Sequence, residues 1–171
     1  FLSVTNLVAS KSNDARTIKL QAHALFYNDR QEAAVSLLEE FQKKFPQEFE
    51  HKMWDGDGNF IPLSYNLAEA YLDLAIKISE RKKIVLTDFE FNENDNVSFI
   101  LNSDSEIDQL LEKSLNLCDA IILEEEKDGN DFHGDSIYKL KYIALFHLHR
   151  FEESLHVVET QMKNFNYHYL F

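Results

Sequence analysis

The groups in this 171-residue chain best suited to chemistry are seven histidines, one cysteine and thirty carboxylates. His147 and His149 stand two apart, and His149 and His156 seven apart. Metal ligands on one helix need i, i+4 spacing, as in H-E-x-x-H, and that spacing is absent. The histidines read as exposed or capping side chains at a corner between helices. Cys118 sits among Leu115, Leu117, Ala120, Ile121 and Ile122, without a neighbouring cation to lower its pKa, and reads as an inert core residue. Asp55-Gly56-Asp57-Gly58-Asn59 places oxygens at alternate positions, as a calcium loop does, but Phe60 occupies the sixth position and Asn66 the twelfth. Calcium needs Gly and a bidentate carboxylate there, so the segment reads as a turn. Asp128-Gly129-Asn130-Asp131 reads as a connector, and Glu124-Glu125-Glu126 as a solvated helix end whose charge opposes the dipole unless Lys127 compensates. Asn96-Val97-Ser98 is a formal glycosylation acceptor without a secretory signal. No residue set reads as a nucleophile with its base, and no loop as a cofactor cradle, so catalytic, cofactor and metal residues are all expected to be none.

Other elements must therefore carry the function, and composition limits what they are. With 44% apolar residues, including 14 Phe and 7 Tyr, the chain has the means to bury a core. Four Gly and two Pro are too few for a many-stranded β protein or a Gly-rich phosphate loop, which leaves an all-α chain. Seventeen basic against thirty acidic residues give a net charge of −13, which repels phosphate backbones and anionic lipid. Charges interrupt every window of about 20 residues, so no membrane span is expected, and one cysteine gives no sign of an oxidising compartment. The chain reads as cytoplasmic or nuclear. It opens on Phe1 and closes on Tyr167, Tyr169 and Phe171, which reads as a piece whose apolar ends meet further protein.

Residues 17–45 align without gaps on residues 137–165 at an offset of 120, with ten identities in twenty-nine positions. Chance gives roughly two. The identities include Lys19/Lys139, Leu20/Leu140, Ala24/Ala144, Leu25/Leu145, Phe26/Phe146 and Arg30/Arg150. In each copy apolar residues at helical spacing (Leu20, Ala24, Leu25, then Ala34, Leu37, Leu38, Phe41) flank a polar break, Tyr27-Asn28-Asp29-Arg30 or His147-Leu148-His149-Arg150. Asn28 and Asp29 tolerate left-handed or capping geometry, and Pro46 ends the unit. Each copy is thus an antiparallel helix pair that must stack on others to hide its apolar face. A third pair lies between them, one helix from Pro62 through Ile78 and the other from about Ile107 to Leu123. The acidic, Asn-rich insertion 84–105 separates the two, and its apolar ends Ile84-Val85-Leu86 and Phe99-Ile100-Leu101 have the makings of a β-hairpin. Residues 46–61 and 127–134 read as connectors. The hairpin bounds are 14–46, 62–126 and 135–166, in one domain.

This pattern resembles the tetratricopeptide-repeat superfamily of 34-residue helix-turn-helix units. Ser64-Tyr65-Asn66-Leu67-Ala68-Glu69-Ala70-Tyr71 is similar to the first-helix stretch of the family, with Ala68 at its small position. Pro46 falls at the repeat-closing proline when Ala34 is the small residue of the second helix, and Phe151 and Ser154 fit the same frame. Tyr142 stands where a small residue is the norm. The resemblance implies a stack of about three pairs, and a non-catalytic scaffold or adaptor within a larger eukaryotic assembly that binds a protein subunit or peptide. Its groove would be lined by Lys19, His23, Tyr65, Asn66, Lys139 and Tyr142. Trp54 reads equally as a partner-facing anchor or as cover for the end of the stack. In one branch of the family, Lys and Asn grip acidic chaperone tails. Lys19 and Asn66 match that pattern, His23, Ser136 and Leu140 depart from it, and a charge of −13 opposes the ligand. A further expectation is end-on stacking through Phe1, Leu2, Tyr167, Tyr169 and Phe171. The insertion reads as a spacer or as an arm for a basic partner.

Overall fold

Asp14 caps the first helix, its carboxylate accepting from the Arg16 backbone N–H at 3.2 Å and from the Thr17 hydroxyl. The computed structural model describes residues 14–50, 53–54, 60–87, 104–128 and 135–162, with side chains for all of these but 53, 54, 60, 61, 83–87, 128 and 135. Among the described residues seven helices carry the fold: α1 (Ala15–Tyr27), α2 (Gln31–Lys44), α3 (Pro46–Glu50), α4 (Leu63–Thr87), α5 (Ser105–Asp128), α6 (Asp135–His147) and α7 (Phe151–Gln161). Met53–Trp54 (β1) and Phe60–Ile61 (β2) form a short antiparallel ladder, Met53 opposite Ile61 and Trp54 opposite Phe60.

The repeated sequence gives repeated geometry. At the first corner Arg30 N–H donates to Leu25 O and Asp29 N–H to Phe26 O, both at 3.0 Å. At the second, Arg150 donates to Leu145 O at 2.9 Å and His149 to Phe146 O at 3.0 Å. This is a Schellman closure in each copy, with Asp29 and His149 both at φ 59°. Asp and His are among the few non-glycine residues that populate this region readily. In each copy the arginine that closes one helix begins the next, accepting from Ala34 N–H and from Ser154 N–H.

Helix α4 is the shared wall of two cores. One face, with Leu67, Ala70, Tyr71 and Leu74, packs with α1, α2 and Phe49 of α3. The other, with Ala68, Leu72 and Ala75, packs with α5, α6 and α7 side chains such as Leu111, Cys118, Leu145 and Val157. Burying apolar surface on both faces confines the charges of the first half of α4 to one narrow stripe, Glu69, Asp73 and Lys77. Ser114 Oγ on α5 donates to Ala68 O at 2.7 Å, and Ser154 Oγ on α7 donates to Tyr142 O at 3.0 Å. A buried serine thus binds the facing helix in the middle and the last pair alike.

Four expectations are corrected. Ile84-Val85-Leu86, the suggested strand, continues α4 to Thr87, because the helical ladder already satisfies its backbone. Residues 99–101 lie outside the described residues. Segment 46–61 is more than a connector: Pro46 starts α3, fully burying Phe49, and the ladder follows. Helix α5 extends to Asp128 and holds Glu125 at 5% exposure, so that carboxylate is not solvated. Leu20, counted with the apolar face of α1, is 69% exposed.

Candidate functional site

Helix α4 lies against α1 on one side and against α6 on the other. One polar contact between α1 and α4 brings two of the expected groove residues together. His23 of α1 and Asn66 of α4 meet with Nε2 and Nδ2 3.3 Å apart. Burial, and then the nearby Lys19, hold the His23 imidazole below its ordinary pKa. A neutral ring with its proton on Nδ1 accepts from the Asn66 amide through Nε2. Asn66 is 3% exposed and its Oδ1 has no hydrogen-bond partner among the described residues, so it acts from beneath the surface. Tyr65 of α4 lies near Ser136 of α6, and its phenol is pushed up to about 12 by burial, then by Glu69 and Cys118.

Lys19 of α1 and Lys139 of α6 are counterparts in the repeat, and with Tyr65 of α4 they make up the expected strip. Lys19 and Tyr65 are half-buried and Lys139 is exposed. Glu69 lies on the same side. Its carboxyl is raised by desolvation and then by Asp73, with Lys19 pulling it down. Asp73 also accepts from Gln31 Nε2 at 3.4 Å. The strip therefore mixes cations, carboxylates and an aromatic, with no excess positive field. Tyr142, half-buried, gives its carbonyl to Ser154 and belongs to the α6–α7 contact as much as to the strip. The side chain of Trp54 and residues 55–59 lie outside the described residues, as do the chain ends carrying Phe1, Leu2, Tyr167, Tyr169 and Phe171.

A second set of polar contacts ties successive pairs together and was not legible in the sequence. Glu39 of α2 accepts from Tyr71 Oη at 2.5 Å and pairs with Lys113 Nζ at 3.1 Å, and that ammonium lies 4.9 Å from the Tyr71 ring centroid. Burial and the Glu39 carboxylate push the Tyr71 phenol upward. Arg81 reaches Glu32 at 3.0 Å, Lys141 reaches Asp119 at 2.7 Å, and Lys77 pairs with Asp29. The available signal was the Glu32/Glu152 and Glu39/Glu159 identity of the repeat, but its partners lie far along the chain.

The one cysteine is poorly placed to act as a nucleophile. Cys118 is fully buried and its thiol is raised to about 12 by burial and Asp119. Among the described residues no three His, Cys, Asp or Glu side chains converge to hold a metal, and no helix is long and apolar enough to cross a membrane. His149 instead stacks edge-on against Phe151 at 5.6 Å, and Phe151 against Phe146 at 5.3 Å. No family model, no curated protein and no solved structure matches this chain.

Proposed function

We propose that the chain is a non-catalytic protein-binding scaffold. It is built as a tetratricopeptide-like stack of three antiparallel helix pairs whose first helices present a groove to a partner peptide or subunit. The observation that carries this reading is the His23–Asn66 contact between α1 and α4, together with the packing of α4 on α6, which supports a side-by-side row of first helices with Lys19, Tyr65 and Lys139 in one strip. Matching corners at Asp29 and His149, and matching serine bonds at Ser114 and Ser154, support the three-pair arrangement. Affinity would come from a few partly buried groups such as Tyr65, with charge setting rate and selectivity. The work of such a scaffold lies in the cytoplasm or nucleus, within a larger assembly.

A chaperone-tail clamp finds less support. Asn66 is turned under the surface toward His23, and Glu69 and Asp73 stand near Lys19, where an acidic peptide would meet like charge. The test is affinity capture with this chain, comparing the native form with Lys19→Glu/Tyr65→Ala and with a version lacking residues 84–105. Loss of the captured partner on the double substitution, with helicity by circular dichroism unchanged, supports the groove. Undiminished capture rejects it, and loss on the deletion alone moves the binding site to the insertion.

A further inference from the structure

The second helices share one pattern, acid, aliphatic and acid at i, i+3 and i+7: Glu32–Val35–Glu39 on α2, Glu112–Leu115–Asp119 on α5 and Glu152–Leu155–Glu159 on α7. This spacing puts all three on one helix face. On α2 and α5 the face is covered by the next pair. Val35 is 7% and Leu115 4% exposed, and every acid finds a partner: Glu32 with Arg81, Glu39 with Tyr71, Glu112 with Arg150 at 3.6 Å, Asp119 with Lys141. On α7 the same face is open. Leu155 is 53% and Phe151 52% exposed, and neither Glu152 nor Glu159 has an ion pair among the described residues.

At the other end of the molecule the complementary face is open. Leu140 of α6 is 8% exposed in the core it shares with α5, whereas Leu20, its counterpart 120 residues earlier on α1, is 69% exposed. Arg150 reaches back to Glu112, whereas its counterpart Arg30 is exposed and has no ion pair among the described residues. The two open faces are the two halves of an interface that the chain already makes internally, between α5 and the α6–α7 pair.

We infer that a second copy of this chain docks its α1 face on the α7 face of the first, Leu20 packing near Leu155 and Arg30 reaching Glu152, so that copies add head to tail and continue the stack. The apolar contacts supply the attraction. The exposed ion pair adds little energy but fixes orientation and partner. Because the two faces differ, the contact is heterologous and leaves a free end at each side, so growth stops only if a ring closes. The net charge of −13 opposes association at low salt, and at physiological ionic strength it is screened beyond about 8 Å. This inference rests on the stacked-pair reading but not on the groove, and capture through Lys19 and Tyr65 reports on the groove separately.

The test is sedimentation velocity of the full chain in physiological salt over a concentration series. The native chain should form species that grow beyond the dimer as concentration rises. Leu20→Glu alone and Leu155→Glu alone should each lose association at least tenfold. Both sites are more than half exposed, so circular dichroism should show the fold retained. An equimolar mixture of the two variants should form a dimer that does not grow, because each contributes its one intact face. Arg30→Glu and Glu152→Arg should each weaken association, and the double reversal should restore it. A native chain that stays monomeric throughout, a mixture that stays monomeric, or a loss confined to one of the two leucine variants overturns the inference.

Discussion

The α1–α2 and α6–α7 pairs have nearly the same local structure and opposite burial at their flanks. Both first helices run thirteen residues, both corners place one residue at φ 59°, and both second helices start three residues after the corner opens. Yet Leu20 is 69% exposed where Leu140 is 8%, and Val35 is 7% exposed where Leu155 is 53%. The first pair buries the outer face of its second helix, and the last pair buries the outer face of its first helix. An apolar residue in this architecture is core or surface according to which side of its pair has a neighbour. That follows from the geometry of stacking, in which one helix pair cannot cover both its own flanks.

The largest effect that sharpens this contrast comes from one substitution made twice. Leu140→Ala should lower stability by roughly 2–5 kcal/mol, the range for truncating a buried leucine. Leu20→Ala, in the same repeat position, should fall within about 0.5 kcal/mol of the native chain, as surface changes do. Urea melts of both variants decide the matter, and equal losses would break the comparison.

Next in size are the cross-helix serines. Ser114→Ala and Ser154→Ala should each cost about 1 kcal/mol by removing a buried hydrogen bond. The first pair has Ala34 in the corresponding place and does without that bond. If Ser114→Ala and Ser154→Ala leave the melt unchanged, the shared bond is not what sets helix approach in those pairs.

A smaller difference is expected at the corners. His149→Gly should raise stability by at most about 0.5–1 kcal/mol, since glycine occupies the left-handed region without a Cβ clash and only an exposed ring contact with Phe151 is lost. Asp29→Gly should gain less, because Asp29 also pairs with Lys77 and that contact is lost. A gain at Asp29 equal to that at His149 in thermal melts would show that the pair contributes nothing there.

The smallest effect is in pH dependence and is confined to the first pair, since Ile143 replaces His23 in the last. The folded-state pKa of His23 lies below its ordinary 6.5. As pH falls through 6.5 the unfolded chain takes up the proton first, so the stability His23 provides is complete above 6.5 and is lost progressively below it. The native chain should therefore lose more stability between pH 7.5 and 5.5 than His23→Gln. Parallel pH profiles for the two would remove His23 from this account.

Much of the architecture was legible in the residues themselves. The offset of 120, the polar breaks and the small residues Ala68 and Ala34 suffice to place α1, α2, α4, α6 and α7, because helical periodicity and corner closure are short-range. That Lys19 and His23 share a side of α1 could be read for the same reason, since the two are four residues apart on one helix. That Asn66 is buried and joined to His23 could not be read, because the two are 43 residues apart and the contact depends on how α1 meets α4. Nor could the burial of Glu125, whose run of three acids looks solvated, or the ladder at Met53–Ile61, whose strands are too short to show alternation.

By itself the sequence determined the helices, their corners and the kinship of the two end pairs, since these follow from hydrogen bonds and steric preferences that span no more than a few residues. Only the tertiary structure decided which copy of a repeated leucine is core, which carboxylates find cations and which flanks stay open. Identical local patterns carry no information about how many neighbours each will have.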